Sequence, residues 1–344
     1  MSRTFASDNN SGAHPAALIA IAEANEEHVH AYGDDPWTAR GIRAVRSHVG
    51  ESADVFFVFN GTGANVTGLS ALLGSGDAVI TPASAHINVD ECGAPERFSG
   101  CKIVGVPTPD GKLRPADVQP LLAVRGNMHH TQPRVISISQ VAETGLVYTP
   151  AEVRALSDLA HDNEMYLHMD GARISNAAAA LNMPIREFTA DAGVDVLSFG
   201  GTKNGMLFGE AVCFLTPGLA DQFLYERKSG AQLASKMRFI GAQFAAVYGS
   251  AAWREMAAHA NAAAARLADG ARAAGVELAW EPQANEVFAL LPPEAVERMR
   301  ALSDFYDWEP RGEHMIVRWV CSWDTTDEDV DRFVAAIPAA MEGL

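Results

Sequence analysis

Residues 55–74 read VFFVFNGTGANVTGLSALLG: an apolar run of β-branched and aromatic residues, a turn with glycines at 61 and 63, then an apolar helical pattern. Strand, glycine turn and helix in that order form the opening unit of an α/β fold. Outward from it the same alternation recurs, with short apolar runs at 78–81, 102–106, 135–139, 165–169 and 194–199 separated by helical patterns. These runs are apolar on both faces, as strands covered by helices on either side must be, so a mainly parallel sheet in a three-layer α/β domain is expected. Around Ser250 the character changes to an Ala-rich helix at 252–274, then strand signals at 276–280 and 287–291. A helix opening at Pro292-Pro293, a strand at 315–321 and a last helix announced by Thr326-Asp327-Glu328-Asp329 follow, the last resembling a capping box with Asp in place of Glu. Two domains are expected: a large one over 1–249 that includes an N-terminal arm, and a small α+β one over 250–344.

A chain of 344 residues, 48% hydrophobic and only 20% charged, can bury a large core and is not a disordered chain. The 43 acidic residues outnumber the 26 basic ones, and a formal charge of −17 repels phosphate backbones, which argues against nucleic acid as a partner. Cys92, Cys101, Cys213 and Cys321 stand far apart with no C-x-x-C pair, which favours free thiols in a reducing compartment. The polar opening MSRTFASDNNSG has no apolar signal core, and no uncharged apolar stretch approaches a membrane span, so the cytoplasm is expected and a membrane is not. His28-x-His30 and His129-His130 have no carboxylate or cysteine frame at ligand spacing, so no metal site is expected.

Three segments carry chemistry. In Asn60-Gly61-Thr62-Gly63-Ala64-Asn65, glycines allow close backbone approach, the first helical turn presents free N–H groups, and the Thr62 hydroxyl adds a donor. A phosphate fits there, whereas a P-loop would need G-K-[ST] and the dinucleotide fingerprint a third glycine. The bland alternative is a turn that needs a positive φ angle. In Leu167-His168-Met169-Asp170-Gly171-Ala172-Arg173, an Asp ends a buried strand, where open α/β sheets place ligands. A protonated pyridine nitrogen would offset its desolvation; the alternative is an Asp that caps the next helix beside Arg173. In Ser198-Phe199-Gly200-Gly201-Thr202-Lys203-Asn204-Gly205, a lysine bedded in glycines follows a buried strand, so its stem points into a crevice and its amine can form an imine. On its own it reads as a surface-turn lysine. Taken in order, a phosphate loop, an Asp and a glycine-bedded lysine let one sheet grip pyridoxal phosphate.

These segments resemble the low-specificity L-threonine aldolases, within the aspartate-aminotransferase-like fold of pyridoxal phosphate enzymes. The likeness also takes in Ser7-Asp8-Asn9, Tyr32-Gly33-Asp34-Asp35, and His86 followed by Asp90-Glu91-Cys92-Gly93-Ala94-Pro95-Glu96. The resemblance implies a seven-stranded, mainly parallel sheet in the large domain. It implies Lys203 as the Schiff-base lysine, Asp170 on the pyridine nitrogen, Gly61 and Thr62 on the phosphate, and His86 stacked on the ring. Ser7, Arg173 and Arg318 resemble residues for the substrate carboxylate, a task suited to the guanidinium fork, and Arg173 also stands near the ring's phenolic oxygen. His129, or its neighbour His130, resembles a second histidine near the substrate hydroxyl. Tyr32 and Arg238 would reach a neighbouring subunit's site, which implies a homo-oligomer, a dimer or tetramer. The segment from Gly230 to Arg238 departs from the family's glycine-rich pattern, and Lys228 and Lys236 compete there for one role.

The expected reaction is aldol cleavage of L-threonine or L-allo-threonine, with other β-hydroxy-α-amino acids in range, to glycine and an aldehyde. His86, His129 or a water between them is the base. The rivals are β-elimination, amino transfer or hydroxymethyl transfer on the same cofactor, and, from a different class, a non-catalytic binder of a phosphorylated metabolite through 61–65.

Overall fold

The computed structural model describes residues 3–344. Strands β1 (Asp54–Val58), β2 (Asp77–Pro82), β3 (Lys102–Val106), β4 (Gln132–Ser139), β5 (Tyr166–Gly171), β6 (Val196–Gly200) and β7 (Glu210–Phe214) form one sheet in the order β1-β7-β6-β5-β4-β2-β3. Only β7 runs against the others, pairing antiparallel with both β1 and β6. Six of these strands coincide to within a few residues with the apolar runs. β7 opens on a glutamate and has no helical pattern before it, so nothing marked it as a further strand.

Side chains alternate between two cores, one on each face of the sheet. On one side Leu197 and Phe199 join Phe57, Ile138 and Met169 under the helix Pro150–Asp162. On the other, Val196 joins Val58, Val79 and Val212 beneath the helix Gly61–Ser70. Phe57 stacks on Phe244 at 4.6 Å and Phe199 meets Tyr248 edge-on at 4.8 Å, so Phe199→Ala would open a cavity costing ~3–5 kcal/mol.

A second sheet, antiparallel throughout, holds β8 (Glu277–Leu278), β9 (Glu286–Leu291), β10 (Tyr306–Arg311) and β11 (His314–Val320) in the order β10-β11-β9-β8. It packs on the helices Ala252–Ala273, Pro293–Arg300 and Asp327–Met341. The last opens with the capping box expected at Thr326, whose hydroxyl accepts from the Asp329 amide while Asp329 accepts from the Thr326 amide. β10 is largely exposed and lacks alternation, which hid it in the sequence. The N-terminal arm crosses to this second core: Phe5 is buried in it and its carbonyl accepts from Val320 N at 2.8 Å. That crossing brings residues 6–11 up against the ends of the large sheet.

Candidate active site

The parallel strands all end at one edge of the large sheet, and their following loops converge there. Gly61 follows β1, His86 follows β2, Ser139 ends β4, Asp170 is the next-to-last residue of β5, and Lys203 follows β6. With Ser7 from the arm, and Tyr306, Trp308 and Arg318 from the second sheet, they line a cavity of about 260 Å³. Gly61, His86, Asp170, Arg173, Lys203, Ser7 and Arg318 are thus drawn together from six separate segments, Asp170 and Arg173 sharing one.

The loop after β1 is built by Asn60, which caps the helix Gly61–Ser70: its side chain accepts from Gly63 N at 2.7 Å and its carbonyl from Ala64 N at 3.0 Å. The preceding amides, of Gly61 and Thr62, have no intrahelical acceptor. A Cβ added to Gly61 would meet open space, whereas one on Gly63 would strike the Gln232 side chain, which also accepts from Phe59 N at 3.0 Å. The concave face is therefore at Gly61. Thr62 stands next to it in the first turn but is not among the cavity's lining residues.

At the floor, Asp170 accepts from Ala172 N at 2.9 Å and from Asn65 Nδ2 at 2.8 Å. Asn65 also donates to Glu91 at 2.9 Å, and the same Glu91 oxygen accepts from His86 Nδ1 at 2.9 Å. That bond fixes the tautomer with Nε2 free, and the hydrogen bond that Nδ1 donates to Glu91 raises the His86 pKa above its usual range against the opposing effect of burial, with Asp170 adding to it and Lys203 opposing. Glu143 holds the His86 backbone N at 2.9 Å and Ser139 Oγ at 2.5 Å through one oxygen, while its other oxygen is buried without a partner. Burial pushes its pKa up to about 7. One pleat below Asp170, His168 is enclosed between Ser137 and Ser198 at 2.9 and 3.1 Å, and burial pulls its pKa down to about 4, so it is neutral. Burial, followed by the charge of Arg173, lowers the Lys203 pKa, which enlarges the fraction of free amine able to form an imine.

On the carboxylate side, Ser7 Oγ caps the turn Asp8–Asn10 by accepting from Asn9 N at 3.1 Å. The buried Asp8 takes Arg173 Nε at 2.7 Å and Nη2 at 3.1 Å. Arg318 is freer: its Nε is buried without a partner and its Nη2 reaches only Ala6 O, at 3.4 Å.

Besides Thr62, three expected residues lie outside this cavity's lining. His129 is corrected most: it is exposed in the turn before Gln132, at the start of β4, while the far end of that strand lines the cavity. Of the two histidines only His86 lines this chain's own cavity. Tyr32 is 53% exposed, with Lys228 Nζ 5.2 Å from its ring centroid. Arg238 donates to the carbonyls of Glu26 and Glu27 at 3.2 and 3.0 Å, also outside the cavity. Asp8, Asn65, Glu91, Glu143 and Glu286 are residues of or beside the site whose roles the motifs did not reveal; Asp8, Asn65 and Glu91 lay inside quoted segments, but Glu143 and Glu286 carried no signal.

Residues 4–292 match the β-eliminating lyase family. The chain is 45% identical over 340 residues to a low-specificity L-threonine aldolase of Pseudomonas aeruginosa, covering 98% of this chain and 97% of that one. It is 44% identical to a second, from a Pseudomonas species, covering 99% and 98%. A solved threonine aldolase structure from Leishmania major superposes with a TM-score of 0.93 at 31% identity, covering 98% of this chain and 99% of that one. The chain belongs to the β-eliminating lyase family, in its threonine aldolase branch.

Proposed function

We propose that this protein holds pyridoxal phosphate on Lys203 and cleaves L-threonine or L-allo-threonine, together with other β-hydroxy-α-amino acids that fit the cavity, to glycine and an aldehyde. The observation that carries this reading is the meeting of Gly61, Asp170 and Lys203, from the ends of β1, β5 and β6, around one cavity.

The residues fit the cofactor. The open face at Gly61 with its two unpaired amides suits a phosphate, Asp170 with two neutral donors suits a protonated pyridine nitrogen, and the half-buried Lys203 suits an aldehyde carbon. When bound, the pyridinium ring supplies an electron sink for the pair released at Cα. The chain does the rest. Arg318, with Ser7 beside it, receives the substrate carboxylate and so turns the Cα–Cβ bond relative to the floor of the cavity. His86, held by Glu91 with Nε2 free, takes the proton from the β-hydroxyl as that bond breaks. Asp170, its oxygens held by the Asn65 and Ala172 donors, would face the ring nitrogen.

Supplying L-threonine to the purified holoenzyme and measuring products tests this. Acetaldehyde and glycine in equal amounts are expected; 2-oxobutyrate and ammonia would show β-elimination instead, and no product would return the site to a binding role.

Tyr32 and Arg238, outside their own cavity, are proposed to complete a neighbour's in a homo-oligomer. Mixing Lys203→Ala protein with Arg238→Ala protein should then restore activity, and would not if each chain completes its own site. No helix of the described residues is long and apolar enough to cross a membrane, and we place the enzyme in the cytoplasm because its thiols are free. The division into 1–249 and 250–344 is retained as a proposal, with the arm shared between the two parts.

A further inference from the structure

The carboxylate side of the cavity contains an anion of its own. Glu286, the first residue of β9, has a fully buried side chain, and neither of its oxygens accepts a hydrogen bond. It lies 3.4 Å from Arg173 Nη2 and 3.7 Å from Arg318 Nη1. Arg173 is already engaged by Asp8, itself held by Asn285 Nδ2 at 3.1 Å. Arg318 is braced on its outer side by the rings of Tyr306 and Trp308, at 5.5 and 5.9 Å. Two partly buried cations therefore face two buried carboxylates before any substrate arrives. A carboxylate buried without hydrogen bonds is retained against its desolvation only by such neighbours, and here the neighbours are the groups that must also receive the substrate.

We propose that Glu286 is a positioning residue that sets the affinity and selectivity of the carboxylate pocket: by neutralising the arginine pair at rest, it makes an incoming α-carboxylate weakly held and readily exchanged, and disfavours substrates with a second carboxylate. Removing one of two like charges that share the same guanidinium pair favours the other. The inference rests on the functional reading above; acetaldehyde release by the unmodified enzyme tests that reading, and Glu286 variants test only this one.

The experiment compares unmodified holoenzyme with Glu286→Gln. Three values are measured: KM and kcat for L-threonine, Ki for propionate, which has a carboxylate but no amino group for Lys203, and kcat/KM for β-hydroxyaspartate. In the variant, KM and the propionate Ki should both fall about tenfold while kcat does not rise, and the β-hydroxyaspartate value should gain on that for threonine. Glu286→Asp, which keeps the charge, should return Ki toward that of the unmodified enzyme. If Glu286 only props the arginines, KM and Ki rise in Glu286→Gln; a rise, or no change, overturns the proposal. Should that protein fail to fold, Glu286→Met, apolar and close in volume, is measured instead with the same expected direction.

Discussion

The two edges of the large sheet hold similar residues arranged to opposite ends. At the amino edge, Asp195 accepts from His161 Nε2 at 2.9 Å, Leu167 N at 2.8 Å and Thr216 Oγ1 at 2.6 Å, and His161 Nδ1 meets Ser157 Oγ at 3.3 Å. In order of contact that is a serine, a histidine and an aspartate, yet the serine is buried and donates to Gly193 O at 2.9 Å. At the carboxyl edge, Asn65, Glu91, Glu143 and Arg318 line a cavity and each keep a buried polar atom without a partner, as does Glu286 against the two arginines. Both edges carry titratable side chains beside open space. What marks the active edge is hydrogen-bonding capacity left unfilled around open space, which a stable fold retains when a ligand fills it.

Mutations at the two edges should therefore separate activity from stability. Lys203→Ala should lower kcat by about a thousandfold or more and remove the visible absorbance of the lysine-bound cofactor, measured on the purified protein. His86→Ala should lower kcat about a hundredfold, as expected on losing a positioned base. Glu91→Gln sharpens that assignment through pH. Glu91 stabilises the protonated imidazole; without it the His86 pKa falls, the neutral base persists to lower pH, and the acid limb of kcat/KM should move down by about one unit. A limb that stays in place would assign the titration to another group. The smallest effect belongs to the amino edge: His161→Gln should leave kcat within about twofold while costing ~1 kcal/mol of stability in denaturant unfolding, because Asp195 keeps its other donors.

The parallel strands were readable because burial on both faces leaves continuous apolar runs. β7 and β10 were not, one opening on Glu210 and the other exposed on most of its length. Lys203, Asp170 and Gly61 were readable for a related reason: each follows or ends a legible strand, so topology sends all three to one edge. Buried carboxylates had no such signature. Asp8 acquires meaning only once the fold brings it onto Arg173, 165 residues away. Glu286 and Glu143 fell outside every segment that the motifs marked. His129 was assigned from the resemblance alone; preceding β4, it lies at that strand's amino end, opposite the end that lines this chain's cavity.

The central claim is that the cavity at the carboxyl edge holds its cofactor on Lys203. Borohydride reduction of the holoenzyme, followed by peptide mapping, tests it most directly. The account predicts loss of the visible band and one covalent adduct on the peptide that contains Lys203; an adduct on Lys228 or Lys236, or a protein left unchanged by borohydride, would contradict it.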